Sequence, residues 1–209
     1  MKVLALPGRD EAGKFRAVVR DYPGIWQGLV LDVGCRSGGL KGALAEQQAR
    51  YCGLDLRQPA DVIGDVERGL PFRDRMFDTV VALDVLEHTD RIFDAIGELY
   101  RVSRRHVLVS LPNVYEVKLR LRFLFGRRLS GKYGLPLRQP RDRHRWLFSL
   151  WEARKFLQIQ GQRHAFEIAE EGCLIGPRRG FAGGRFLAGM LPNLMAPWYV
   201  ALFQRKEAG

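Results

Sequence analysis

The chain alternates between short apolar runs and amphipathic stretches, and this pattern predicts its first elements. Short apolar runs bounded by turn residues are typical of strands buried on both faces. They predict strands at 28–33, 51–56, 61–65, 77–83 and 106–111. Apolar residues that recur at three- and four-residue spacing instead indicate helices. This spacing predicts helices at 10–20, about 38–49 and 90–103.

Strands that alternate with helices are joined by right-handed crossovers, which favours a mainly parallel sheet with helices on both faces. Two further strands are predicted at 164–175 and 196–205 as a candidate antiparallel closing pair. The Gly- and Pro-containing stretch 177–195 is interpreted as a long connection between them. The length of 209 residues suits one domain, 1–209, with one sizeable core.

Residues 114–148 interrupt the alternation, and we interpret them as an insertion. They contain two prolines and Gly126, Gly131 and Gly134. VYEVKLRLRFLFGRR places apolar residues on one helical face, although part of it also alternates with period two; we favour a helix. Regular structure is expected to resume at Ser149, where Ser149 and Glu152 have the spacing of a capping box that begins a helix.

The positive charge is concentrated in one part of the chain. The net charge is +11, and residues 101–155 alone contain 15 Lys or Arg against 3 Asp or Glu. Such a segment is either a solvated face or a surface for an anionic partner. Three scattered cysteines favour neither a disulfide framework nor a zinc site, and no signal peptide is recognised, so we expect a cytoplasmic protein without a metal.

The stretch VLDVGCRSGGL (30–40) predicts a ligand site at the end of the first of these strands. Ligands of parallel sheets bind beyond the carboxyl ends of the strands, and glycines let the backbone approach them. Asp55 lies 21 residues after Gly34, where a carboxylate would reach a ribose. Arg36 occupies the second glycine position of a dinucleotide fingerprint, which argues against a pyrophosphate. Asp32 would tolerate a cationic ligand better than an anionic one.

These segments together resemble the class I S-adenosylmethionine-dependent methyltransferases. The resemblance is carried by VLDVGCRSGGL, GLDL and GDVERGLPFRDRMFDTVVALDVLEH, and it covers about residues 28–112. It is closest to the branch with DVGCGxG, LPF…FD and LEH segments. It implies a Rossmann-like doubly wound α/β fold with a mainly parallel seven-stranded sheet, S-adenosylmethionine as cofactor, and the insertion at about 114–148 lying over the acceptor side.

The resemblance also implies roles for individual residues. It places the amino-acid end of the cofactor at Asp32, Gly34, Cys35 and Gly38. It places the ribose and adenine at Asp55 and Leu56, the adenine edge at Asp65 and Val66, and the methionine moiety beside Leu83 and Asp84. Arg36 departs from the family glycine. Taken singly, Asp55 or Asp65 is often a cap or turn residue, and Cys35 is more readily a small packing residue than a nucleophile.

The acceptor chemistry is less specified by the sequence. The N/D-P-P-Y/F segment of nucleic-acid amine methylation is replaced by ALDVLEH, which disfavours that class. In DRHRW (142–146), His144 is a candidate general base oriented by Asp142 or a nearby acid, with Arg143, Arg145 and Trp146 as candidate acceptor-binding residues. The alternative is a hydrogen-bonded turn that pins the insertion to the domain. His88 is either structural or close to the acceptor.

Three kinds of partner are compatible with the basic segment. A small-molecule or glycan acceptor with an anionic group is ranked first, and O-methylation is the expected reaction. A lipid-linked acceptor is second, with LRLRFLF forming an interfacial patch on an anionic membrane surface, which would make the protein peripheral to the membrane. RNA is third. A catalytically inactive binding protein, with Arg36 blocking the site, is a further alternative, and the oligomeric state stays open.

Overall fold

The computed structural model describes residues 1–7, 11–47, 49–129, 132–133, 143–177, 180 and 182–207. Over these residues the chain forms one central sheet in the order β1-β7-β8-β6-β5-β2-β3-β4. The strands are β1 (Lys2–Ala5), β2 (Gly28–Val33), β3 (Ala49–Asp55), β4 (Val62–Ile63), β5 (Phe77–Leu83), β6 (Ser103–Pro112), β7 (Phe166–Ile175) and β8 (Trp198–Arg205).

All strands of this sheet run in one direction except β8, which lies antiparallel between β6 and β7. The antiparallel pairing of β7 with β8 confirms the predicted closing pair. The sheet has eight strands rather than the expected seven, because β1 adds to its edge beside β7. The four residues of β1 were too short an apolar run to indicate a strand by themselves.

Helices cover both faces of the sheet. They are α1 (Glu11–Asp21), α2 (Gly39–Ala43), α3 (Ile92–Val102), α4 (Val117–Leu124), α5 (Leu150–Arg163), α6 (Ala182–Met190) and α7 (Pro192–Met195). Successive residues of β2 point to opposite faces, as the pleat requires. Leu31 therefore packs in the layer that contains α3 and α5, whereas Val30 packs in the layer that contains α1.

Two predicted segments differ from the structure. The helix expected at about 38–49 is shortened to Gly39–Ala43, and the connection expected at 177–195 contains α6 and α7. The helical interpretation of the insertion is confirmed by α4. Gly131, Gly134 and Asp142 lie outside the described residues. Among the described helices, none is long and apolar enough to cross a membrane.

Candidate functional site

The glycine-rich turn after β2 is fixed by backbone contacts to the neighbouring strand. The amides of Gly34 and Cys35 donate to the carbonyl oxygen of Leu54, at 2.8 and 3.2 Å. Gly34 has φ +75°, and a Cβ there would lie 2.6 Å from Cγ2 of Val85. Glycine is therefore required at 34 both by the left-handed backbone and by the close approach of Val85.

Arg36 fits this turn through its main chain. It adopts a left-handed conformation with φ +48°, which usually favours glycine. Its amide donates to Oδ2 of Asp55 at 2.9 Å, and its side chain is exposed. Asp55 therefore connects the end of β3 to the turn after β2, and Arg36 keeps the backbone path of the turn.

Asp32 is a buried carboxylate beneath the turn. It is 2% exposed, and the Tyr51 hydroxyl donates to its Oδ2 at 2.8 Å. Burial raises the pKa of Asp32 to about 7; Asp55 raises this pKa further, and the hydrogen bond from Tyr51 opposes the increase. A cation bound nearby would favour the ionised form of Asp32 and lower this pKa.

Cys35 has the character of a packing residue. Its thiol is buried, and a Cβ at Gly53 would lie 2.9 Å from its sulfur. Burial raises the pKa of Cys35 to about 11, with further increases from Asp32 and Asp55. The reactive thiolate is therefore scarce at neutral pH, which argues against a nucleophilic cysteine here.

The predicted adenine-side residues lie beyond β3 and β4. Asp65 caps the 3₁₀ turn Val66–Arg68 by accepting from the Glu67 amide at 3.0 Å, and its carboxylate lies 3.4 Å from Nε of Arg68. Val66 is buried in the core, whereas Leu56 is exposed. Asp65 thus has a local structural function, and its contact with an adenine stays a prediction.

The end of β5 carries a part-buried ion pair. Asp84 follows the half-buried Leu83 and has φ +58°. The ammonium of Lys14 lies 2.5 Å from Oδ1 of Asp84 and donates to the Ser110 hydroxyl at 2.9 Å. Ser110 in turn donates to Asp84 at 2.9 Å. This network fixes Asp84 beside the turn after β2. Lys14 was not found from sequence, because one lysine on an amphipathic helix gives no distinguishing signal.

Two distant segments meet just beyond Asp84. Oε1 of Glu87 lies 3.8 Å from Nε2 of His88 and 3.9 Å from Nε2 of His144. The imidazole rings of His88 and His144 meet edge to face with centroids 4.6 Å apart. The ring of Tyr133 lies 4.8 Å from that of His144 on another side. We call Glu87, His88 and His144 the Glu-His-His cluster; ligand atoms of the three lie within 4.8 Å of one another.

Residues 143–146 are held against the 3₁₀ turn Leu86–His88. Nδ1 of His88 donates to the carbonyl oxygen of Arg143 at 3.1 Å, and the Arg145 amide donates to the carbonyl oxygen of Glu87 at 2.7 Å. The Trp146 indole donates to the carbonyl oxygen of Thr89 at 2.8 Å, and Nε of Arg145 lies 3.1 Å from Asp90. These contacts attach the end of the insertion to the domain, and acceptor binding by Arg143, Arg145 and Trp146 stays a prediction.

Glu87 is the acid that reaches His144. It is 1% exposed, and among the described residues neither carboxylate oxygen has a hydrogen-bond partner. Burial raises the pKa of Glu87 to about 8; the charge of Asp84 raises this pKa further, while Lys14 and Lys132 lower it. The raised pKa favours the protonated, neutral carboxyl, and a positive charge on an adjacent imidazole would lower this pKa and favour the carboxylate. The expected orienting residue, Asp142, lies outside the described residues.

The geometry collects the predicted residues into two adjacent groups. Val33, at the end of β2, pairs with Leu54 of β3 and Ala82 of β5, so the ends of these three strands are aligned. Asp32, the turn at 34–38 and Asp55 form the first group, and Asp84 connects it to the Glu-His-His cluster. Glu87 stands in the LEH segment, but sequence alone did not indicate that it would meet His144.

A family model described as a methyltransferase domain matches residues 31–110. This range contains the turn, Asp55, Asp65, Asp84 and the LEH segment. None of the curated proteins matches the chain significantly. The match therefore rests on the half of the sheet that carries the first group, while the insertion and β7–β8 lie outside the matched range.

Solved structures with this fold cover nearly the whole chain. A SAM-dependent methyltransferase from Archaeoglobus fulgidus has a TM-score of 0.65 at 15% identity, over 94% of this chain and 96% of that one. Magnesium protoporphyrin IX methyltransferase from Synechocystis PCC 6803, with bound SAH, has a TM-score of 0.61 at 17% identity, over 93% of this chain and 82% of that one. The cyclase SpnF has a TM-score of 0.61 at 15% identity, over 96% of this chain and 84% of that one. At these identities the likeness shows the fold alone, and that fold also serves a cyclase.

Proposed function

We propose that the chain transfers a methyl group from S-adenosylmethionine to a hydroxyl oxygen, because residues 31–110 match a methyltransferase domain model and the chain shares the fold of solved methyltransferases. The acceptor is a small molecule or glycan-type compound with an anionic group. The observation that supports the acceptor part of this proposal is the Glu-His-His cluster, in which residues 87–88 meet residue 144 directly beyond Asp84.

The first group of residues suits the cofactor. Asp55 stands at the end of β3, where its carboxylate can accept from a ribose hydroxyl, and the left-handed Gly34 brings bare backbone to the cleft. Asp32 supplies a carboxylate for the cationic amino-acid end of the cofactor. Because the Arg36 side chain is exposed, it does not support the alternative of a blocked, inactive site.

The Glu-His-His cluster suits removal of a proton from the acceptor. The sulfonium already activates the methyl group, so the protein needs to align the acceptor, exclude water and accept a hydroxyl proton. An imidazole accepts a proton near neutral pH, and an adjacent carboxylate stabilises the imidazolium that forms. His144 is assigned as the base that accepts the hydroxyl proton, and His88 is held beside it by the Arg143 carbonyl. Once Glu87 has released its own proton to solvent, its carboxylate stabilises the imidazolium.

The anionic group of the acceptor is assigned to the exposed arginines beside the cluster. Arg143 is exposed next to His144, and Arg145 extends from the same short segment. Trp146 is partly exposed and offers an apolar wall. The concentration of 15 basic residues in 101–155 supports an anionic acceptor and leaves a lipid-linked or RNA acceptor as alternatives.

Replacement of His144 tests this assignment. We expect His144→Ala to lower the turnover number at least about a hundredfold, because the loss of a general base has an effect of this size. The dissociation constant for S-adenosylhomocysteine should change less than about twofold, because the cofactor residues lie in the other group. Methyl transfer from radiolabelled S-adenosylmethionine into a panel of phenols, hydroxy acids and sugar phosphates provides the assay, and calorimetry provides the affinity.

His164→Ala is the matched control, because His164 is an exposed histidine at the end of α5 whose ring stacks on Tyr100. Its turnover should stay near that of the wild type. Near-normal turnover of His144→Ala would exclude His144 as the base. Turnover that is lost after dialysis against EDTA and restored by one divalent cation would instead assign the cluster to a metal-assisted reaction.

A further inference from the structure

Helix α4 contributes no side chain to the core of the domain. None of its eight residues is buried, and the bulky apolar residues at its end are the most exposed. The exposed fractions are 48% for Leu121, 76% for Phe123, 73% for Leu124 and 69% for Phe125. A helix this short is not stable in water without packing, so an apolar surface of this kind indicates a partner.

Basic side chains border the apolar surface of α4. Val117, Leu121 and Phe125 recur at four-residue spacing and line a shallow groove between Lys118, Arg122 and Arg127. Arg120 and Arg128 add two further positive charges, and the acid that directly precedes α4, Glu116, is buried. We call residues 117–128 the basic-apolar segment. Its pattern is that of a helix that lies in the interface of an anionic bilayer.

The basic-apolar segment lies at the carboxyl edge of the sheet. Asn113, directly after β6, donates its side-chain amide to the carbonyl oxygens of Asn193 and Ala196, at 2.9 and 2.8 Å. This contact joins the start of the segment to the region between β7 and β8. That region carries a second exposed apolar set, Phe186, Leu187, Met190 and Leu191. Both sets of exposed apolar residues therefore belong to segments that follow the carboxyl ends of β6 and β7, at the edge of the sheet that carries the candidate site.

We propose that the basic-apolar segment is a membrane-docking surface that binds the headgroups and outer acyl region of an anionic lipid bilayer. Charge complementarity favours an anionic bilayer as the partner, because every charged residue of the basic-apolar segment is Lys or Arg and these residues border its apolar surface. Exposed leucines add little to nucleic-acid binding, which uses stacking and phosphate contacts, but they partition into lipid together with phenylalanines. The proposal concerns binding alone and does not depend on methyl transfer.

Vesicle sedimentation with the full chain tests the proposal. We expect binding to vesicles of equal parts phosphatidylglycerol and phosphatidylcholine, and at least about tenfold weaker binding to phosphatidylcholine alone, because each basic residue near an anionic surface changes the affinity about fivefold. Lys118→Gln with Arg127→Gln should weaken binding about tenfold or more. Phe123→Ser with Phe125→Ser should weaken it at least about tenfold through loss of apolar insertion.

Matched variants on α5 provide the controls. Lys155→Gln with Arg163→Gln removes two exposed charges, and Ile159→Ser removes an exposed apolar side chain; both should retain the affinity of the wild type. The proposal is overturned if the wild type does not bind anionic vesicles, or if the α5 variants lose as much affinity as the segment variants. It is also overturned if single-stranded RNA, measured by fluorescence polarisation, binds this segment while vesicles do not. Since no cofactor is present, failure here leaves the methyltransferase proposal intact.

Discussion

At the scale of single residues, Arg36 in the turn after β2 and Asp32 near the end of β2 shape the candidate site. Arg36 stands in a conformation that glycine adopts more easily, and it is stabilised by the bond from its amide to Asp55. Asp32 is buried with a hydrogen bond from Tyr51 and a pKa of about 7. The charge of Asp32 therefore changes within the physiological range, and a cationic cofactor should respond to it.

The pH dependence of cofactor affinity follows from Asp32. Its pKa is raised, so its carboxylate is protonated as the pH falls below about 7, and its attraction to the cationic amino-acid end of the cofactor is then lost. We expect the affinity for S-adenosylmethionine, relative to that of Asp32→Asn, to fall about tenfold from pH 8 to pH 6. Calorimetry over this range provides the measurement.

Tyr51→Phe provides a directional control for this titration. It removes the hydrogen bond that opposes the increase in the pKa of Asp32, so the decline in affinity should begin at a higher pH. A constant ratio between wild type and Asp32→Asn across the pH range would show that Asp32 does not face the cationic part of the cofactor.

At the scale of elements, two short attachments hold the two ends of the insertion at 114–148 against the domain. The segment 143–146 is tied to the turn after β5 by backbone bonds to Glu87, and Asn113 ties the end of β6 to α7. Helix α5 begins immediately after the first attachment with the predicted capping box between Ser149 and Glu152. These attachments hold the two ends of the insertion to the domain through polar contacts.

Asn113 is expected to be the main polar attachment at this edge. It is buried, and besides its two donated bonds its Oδ1 accepts from the Tyr115 amide at 3.0 Å. Asn113→Ala leaves buried backbone groups without partners, so the free energy of unfolding should fall by about 2–4 kcal/mol. Urea unfolding provides the measurement, and Gln158→Ala on the exposed face of α5 should stay within about 0.5 kcal/mol of wild type. A similarly small effect at Asn113 would contradict the assigned role.

Local patterns predicted most elements, but not contacts between distant segments. The strand at 77–83 and the helix near 90–103 have strong periodicity, and the structure places them at Phe77–Leu83 and Ile92–Val102. The helix after the turn at 34–38 ends early, at Ala43, and α6 forms in a Gly-rich stretch. The helix propensity of both stretches is weak, so packing against the rest of the domain determines where the helices form. Glu87 and His144 lie 57 positions apart in the chain, and no local pattern specifies that they meet.

At the scale of the whole molecule, charge and chemistry lie on the same edge of the sheet. The carboxyl ends of β2, β3 and β5 carry the acids, and the insertion after β6 carries most of the excess positive charge. A negatively charged acceptor or surface would thus be attracted to the edge that carries the proposed cofactor site. The fold was readable from ordered motifs, whereas the meeting of residues 87–88 with residue 144 required the three-dimensional arrangement.

Titration calorimetry with S-adenosylhomocysteine tests the central claim most directly. The account predicts one binding site per chain for the wild type, and at least about tenfold weaker binding for Asp55→Ala, because a lost hydrogen bond to a charged group has this effect. Asp61→Ala removes the side chain that accepts from the Gly53 amide, two residues before Asp55 in β3. This variant controls for local loosening of β3. Absence of binding by the folded wild type, or equal affinity for Asp55→Ala, would contradict a nucleoside site at the carboxyl edge of the sheet.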